Sequence, residues 1–198
     1  MNSDFLLPLL MGIGLATACG FRIFLPFLAL CLAARGEYLS LPENFLWLTS
    51  DAAFLTLLTA TILEIVSFYV PWLDNALDAL ATPVALVAGT MAIFATGGVE
   101  DMNPLLSWVL ALITGGGSAM AGQSLSVFTR SASLLASGGL GNPLVSTAEN
   151  TGSAGFSVAA IFAPVLIIPF LLLLLMVVWL LFKKRRKPTP QETTSTNT

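Results

Sequence analysis

Gly155–Lys187 reads GFSVAAIFAPVLIIPFLLLLLMVVWLLFKKRRK. From Gly155 to Phe182 the run carries no charge, and it ends in five consecutive basic residues, Lys183 to Lys187. A helix that crosses a bilayer needs about 20 mostly apolar residues, and this stretch supplies more than that. Basic residues beside a span stay on the cytoplasmic side, which predicts a cytoplasmic C-terminus. Pro164 and Pro169 mark kink points, because proline removes a helix hydrogen bond.

The rest of the chain agrees with that reading. Of 198 residues, 56% are hydrophobic and only 10% are charged, with a mean hydropathy of +0.88. Soluble domains carry roughly 25% charged residues, so the composition asks for lipid as solvent. Only Arg22, Arg35 and Arg130 precede the basic run, against ten acids. There is no histidine, which excludes imidazole metal sites and His-dependent triads or proton relays. Cys19 and Cys31 sit twelve helical residues apart, about 18 Å, too far to pair within one helix. Ala16 stands at the −3 position before Cys19 and no basic segment precedes it. A lipoprotein site or cleaved signal peptide is therefore not expected.

Five segments meet the length criterion: Phe5–Ala34, Phe45–Val70, Leu80–Thr96, Pro104–Ala136 and Gly155–Phe182. The expected fold is all-α, a polytopic helical membrane protein of about five transmembrane helices. It forms one domain over 1–182, followed by a basic and then polar cytoplasmic tail, 183–198. Five spans place the N-terminus outside. The location is the cell (inner) membrane. The first, fourth and fifth segments are too long for a straight crossing and must tilt, kink or break. Ser137–Gly152 is neither apolar enough to span nor charged enough for a solvated loop, so it reads as a loop or a short re-entrant helix. Trp47, Trp72 and Trp179 fall near span ends, as interfacial anchors do.

Gly12–Pro26 and Gly115–Leu134 each run through small residues to one arginine, Arg22 or Arg130. Their spans point in opposite directions, the arrangement of an inverted repeat. Two helices that each need small residues to pack explain the likeness equally well. On the fourth span, Gly115, Ala119, Gly122, Gln123, Ser126, Arg130 and Ser133 share one stripe at helical spacing. On the first, Ala18, Cys19, Arg22, Pro26 and Ala29 share a face.

A charge at the bilayer centre costs at least about 2.5–3.5 kcal/mol, so Arg22, Arg130 and Glu64 need partners or water. One reading is a substrate or ion pathway of Arg22, Glu64, Gln123, Arg130, Asn142, Ser146 and Glu149. There the arginines would bind an anionic group, and Glu64 or Glu149 would carry a coupling proton or cation. The other is mutual pairing of these charges, which fixes helix packing and binds nothing. Asp74 and Asp78 lie four apart on one helical face. They read either as a cation site, since hard cations take carboxylate oxygens, or as the wet face of an interfacial helix. In Gly141-Asn142-Pro143, Asn142 suits a helix cap and Pro143 a first turn, with Glu149 toward the far end.

GFRIFLPFLALCLAARG, FLWLTS, PWLDNALDA and GGLGNPLVSTAEN together resemble the bacterial integral-membrane family called domain of unknown function 4126. The likeness runs from about Gly12 to Pro164. Its motifs fall on Gly20, Phe21, Arg22, Phe24, Leu25 and Pro26; on Pro71, Leu73, Asp74, Leu77 and Asp78; and on Gly141, Asn142, Pro143, Val145, Ser146 and Glu149. The family often has an acidic pair where this chain has Glu149-Asn150. The resemblance implies a membrane location and no known activity.

The expectation is therefore a small transporter or channel with a central polar site of intramembrane Arg and Glu. The alternative is a non-catalytic membrane subunit or scaffold whose buried charges only pair helices. An enzyme is not expected: Gly139-Leu140-Gly141-Asn142 has Asn where intramembrane aspartyl chemistry needs Asp. No cofactor or metal is expected. The partners are the lipid bilayer, an unknown small ion or anionic solute, and a second copy packed through Gly and Ala faces. Nucleic acid is not among them.

Overall fold

Apolar residues dominate most elements, and the chain punctuates them with glycine, proline and buried polar residues. The computed structural model describes residues 3–67, 69, 71–100, 102–138, 140–170, 172–173, 176 and 179–180, and only the backbone for 3–4 and 71–79. All regular structure among them is helical: α1 (Ser3–Cys19), α2 (Phe24–Arg35), α3 (Asp51–Ser67), α4 (Pro71–Ala95), α5 (Pro104–Ala111), α6 (Gly117–Ser137) and α7 (Asn142–Phe162). A 3₁₀ segment, Glu43–Thr49, leads into α3, and a shorter one, Pro164–Leu166, follows α7.

The central element is α1. It packs against α4, α6 and α7, and Leu15, Ala16, Thr17, Ala18 and Cys19 are all buried. Leu30 of α2, Ala92 and Ala95 of α4, Phe156 and Ala160 of α7, and Ile167 complete that core. Small residues let the backbones approach closely. A Cβ on Gly89 would lie 2.5 Å from the Gly115 carbonyl oxygen, so α4 crosses the start of α6 almost backbone to backbone. At that crossing, Leu112–Gly116 winds as a π-helical turn joining α5 to α6. Asn103 starts α5 by accepting a hydrogen bond from the Leu105 amide at 3.0 Å, and Pro104 follows in the first turn, as helix starts favour.

Several expected boundaries shift. The first long segment breaks at Gly20–Ile23 into α1 and α2. The second bends by 70° between Glu43–Thr49 and Asp51–Ser67. The third begins earlier than its hydropathy suggests, because Pro71 opens α4 and the Asp74 and Asp78 backbone is helical. The fourth matches: Pro104–Ser137 runs on as one long helix through its π turn. The expected loop or short re-entrant helix at Ser137–Gly152 is corrected most. From Asn142 onward it is the first half of a 21-residue helix. The fifth segment breaks instead at Ala163, whose backbone (φ −146°, ψ 64°) leaves the helix just before Pro164, where the residue before a proline avoids the helical region.

Among the described residues, Pro104–Ser137 is the one helix long and apolar enough to cross a membrane unaided. Phe5–Cys19, Phe24–Arg35 and Leu80–Ala95 are apolar but shorter. Trp47 and Trp179 are exposed. The side chains of Trp72, Asp74 and Asp78 lie outside the described residues, as do Lys183–Lys187 and the tail.

Candidate functional site: a buried Arg–Glu–Arg cluster

The stripe on α6 faces inward: Ala119, Gly122, Gln123, Ser126 and Arg130 are buried. A second polar stripe, on α7, meets it. Ser146, Glu149, Ser153 and Ser157 are buried together with Phe156 and Ala160, at steps of three and four that put them on one helical face.

Arg22 enters from the break between α1 and α2. Gly20 allows the turn to press against α6. A Cβ there would sit 2.2 Å from the Ala119 carbonyl oxygen and 2.7 Å from the Gln123 amide nitrogen, so only glycine fits. The Arg22 side chain then crosses to α7. Its Nε donates to Asn150 Oδ1 at 2.5 Å, one Nη to the Ser146 carbonyl at 3.3 Å, and the other to its neighbour's carbonyl, Phe21, at 3.3 Å.

The two arginines share one carboxylate. Arg130 grips Glu149 with two prongs, Nε to Oε1 at 3.1 Å and Nη2 to Oε2 at 2.5 Å. The Arg22 Nη2 stands 3.2 Å from the same Oε2. Ser126 donates its hydroxyl to Glu149 Oε1. Each carboxylate oxygen thus has two partners, which fills its ordinary accepting capacity. Side-chain exposures are 1% for Arg22, 6% for Arg130 and 5% for Glu149. Ser146 ties in through its hydroxyl, 3.5 Å from Arg130 Nη2.

Glu64 joins the cluster from α3. Its Oε1 accepts from the Ile23 amide at 2.7 Å and its Oε2 from the Phe24 amide at 3.1 Å. These are free donors at the start of α2, where a carboxylate also meets the positive end of the helix dipole. The sequence placed Glu64 as an arginine partner or a carrier of protons or cations. The structure places it one residue from Arg22, as a cap. Two positive and two negative groups therefore gather around the α1–α2 break, and their formal charges cancel.

A family model matches residues 9–184. The chain belongs to the family described as domain of unknown function (DUF4126). No curated protein and no solved structure matches it. In this DUF4126 chain, the motif residues Arg22, Ser146 and Glu149 meet in one cluster.

Of the seven pathway residues read from sequence, Arg22, Arg130, Ser146 and Glu149 meet directly. Glu64 adjoins them through the backbone of residues 23 and 24. Gln123 is buried on α6 one turn before Ser126. Asn142 is the first residue of α7, with Gly141 at the N-cap position, and its Oδ1 is buried without a hydrogen-bond partner. Its expected capping role is thus not what the structure has. Two members were named in the sequence but not counted among the pathway residues. Asn150 receives Arg22, and its signal was adjacency to Glu149. Ser126 receives no special notice in a stripe of small residues, although it lies one turn before Arg130 on the same face. The two halves of the suggested repeat differ locally: Arg22 lies at a helix break and Arg130 inside continuous α6.

Proposed function

We propose that this chain is a polytopic integral membrane protein with a cytoplasmic C-terminus, a non-catalytic subunit or scaffold. In this reading the Arg22–Glu149–Arg130 cluster locks its helices together. The inside-out distribution of side chains supports the membrane part. Arg22, Arg130 and Glu149 are buried, while Leu105, Leu106, Ile113, Leu135, Leu140 and Leu144 are strongly exposed. Water would penalise that arrangement, and lipid favours it.

One observation carries the locking role: the Glu149 carboxylate has no accepting capacity left over for a ligand's donor. Both arginines are likewise committed to protein groups. A buried, mutually paired set fixes the relative positions of the α1–α2 turn, α6 and α7.

The test is thermal unfolding in detergent of Glu149→Leu alone and of Arg22→Met/Arg130→Met/Glu149→Leu together. Removing one member of a buried ion group costs about 3–5 kcal/mol, whereas replacing the whole group by packed apolar residues is often neutral or stabilising. The single variant should unfold far below wild type and the triple should recover most of the loss. A triple variant no more stable than the single one would sink the lock.

Transport is the second reading, and the α1–α2 break favours it. Discontinuous helices whose half-helix N-termini face an anionic substrate group are how many transporters build a site, and here the α2 N-terminus faces the carboxylate of Glu64. Ion or anion flux in proteoliposomes that is lost in Arg22→Met would favour this reading over the lock.

A further inference from the structure

The surroundings of the cluster are unequal on its two sides. Toward Gly117, α6 is pressed against α1. A Cβ on Gly122 would meet the Thr17 carbonyl oxygen at 2.7 Å, and Gly20 meets the Ala119 carbonyl as closely. On the same side Ser153, one turn past Glu149, is fully buried and donates to the Ala18 carbonyl at 3.1 Å. Backbone packs directly on backbone there.

Toward the α6–α7 turn the packing differs. One turn past Arg130 on α6 comes Ser133. One turn before Ser146 on α7 comes Asn142. Ser133 Oγ and Asn142 Oδ1 are both buried and without a hydrogen-bond partner. They are the two such side-chain atoms among the described residues. Their elements are in contact, because a Cβ on Gly141 would lie 2.6 Å from Ser133 Oγ. Beside them Ser137 Oγ accepts from the Gly141 amide at 2.9 Å. Gly138, at φ +62°, turns the chain between the two helices. Outside this hairpin the surface is apolar, with Leu135 89% and Leu140 87% exposed. Its inner seam therefore presents serine, asparagine and backbone, and its outer face leucine.

An unpartnered buried polar group is unfavourable, and buried water commonly meets such groups. Two orphans in one seam, next in line after Arg130 and Ser146, form a polar ladder that ends at Glu149. Irregular backbone at membrane depth is tolerated where it is buried in protein or lines water.

We propose that the α6–α7 seam is a one-sided water path, in which Ser133 and Asn142 bind water and connect the Arg22–Glu149–Arg130 cluster to the membrane face at the α6–α7 turn. The α1–α6 contact closes the other side. This goes beyond the locking role: it makes the buried cluster answerable to the solvent of one compartment.

The experiment replaces Cys19 and Cys31 with alanine and introduces single cysteines at Gly138, Ser133, Asn142 and Ser153 in the full chain. Each is probed in right-side-out and inverted vesicles with a small charged methanethiosulfonate reagent. Ser133→Cys and Asn142→Cys should react from one side only, more slowly than Gly138→Cys and at least tenfold faster than Ser153→Cys. Reaction as slow as at Ser153, or equal reaction from both sides, overturns the proposal. Thermal unfolding of Ser133→Ala gives an answer that needs no labelling. A dry orphan hydroxyl makes this substitution stabilising, which also overturns the proposal. A hydroxyl that holds water makes it neutral or destabilising. A dry seam would leave the lock standing, and a failed triple-variant rescue would leave the labelling pattern unchanged, so the two ideas fail separately.

Discussion

Gly20 is the residue on which the cluster turns. With a Cβ aimed at the Ala119 carbonyl 2.2 Å away, Gly20→Ala must push α1 away from α6. Backbone cannot give way as a flexible side chain can. The variant should lose most of its folded yield, measured as the monodisperse fraction in detergent. Yield equal to wild type would mean the α1–α6 approach is looser than described. Arg130 and Glu149 offer a finer test. Glu149→Gln keeps the shape but leaves Arg22 and Arg130 facing a neutral amide in a buried site. By the cost of breaking a buried ion group, it should lose about 3–5 kcal/mol of stability, read from thermal or denaturant unfolding. Arg130 and its stripe were legible in the sequence because a lone charge among small residues in an apolar run needs a partner. Its partner was one of two named glutamates, and choosing between them required coordinates.

At the scale of elements, the α1–α2 break and the α7 helix matter most. Glu64 holds the start of α2 by accepting from two amides. Glu64→Ala leaves both donors unmet, at about 1–3 kcal/mol. Hydrogen exchange at Ile23 and Phe24 should quicken while exchange within α7 stays as it was. Unchanged exchange at both amides would refute the capping role. At the start of α5, Asn103→Ala removes an ordinary exposed N-cap and should cost only about 1 kcal/mol, which makes it the mild control for Glu64. The overlong first segment was expected to tilt, kink or break, and it breaks at Gly20–Ile23. A short helix opening at Asn142-Pro143 was one of two expectations for Ser137–Gly152; the 21-residue length of α7 was not expected. Its buried stripe is serine, glutamate and serine, with Gly152 and Gly155 between, so neither hydropathy nor propensity reports it. Its partners are polar residues on α6 and Arg22, far away in the chain. Periodicity of polar residues, at 146, 149, 153 and 157, was the available signal.

For the whole molecule, the basic run and the inside-out surface make one joint prediction. A reporter fused after Thr198 should be active in its cytoplasmic form and silent in its exported form. The reverse result would overturn the orientation. The Arg35–Asp51 pair, 2.7 Å apart, joins the end of α2 to the start of α3. It is largely exposed on the Asp51 side, so it contributes little if it faces water. Between them the helices enclose two different interiors. Around Leu15, Leu30 and Phe156 it is an ordinary apolar core, and around Glu149 it is a charged one.

The sequence alone determined the helical class, the family and the inward stripe of α6. Each of these is written in local composition, motif or periodicity, which a single helix satisfies by itself. It also singled out Arg22, Arg130, Glu64 and Glu149, because a charge among apolar residues is conspicuous at any distance. Which of them touch was decided only by the tertiary structure. A carboxylate chooses among arginines by reach and angle, and those depend on where Gly20 lets α1 meet α6 and on how α7 lies against both.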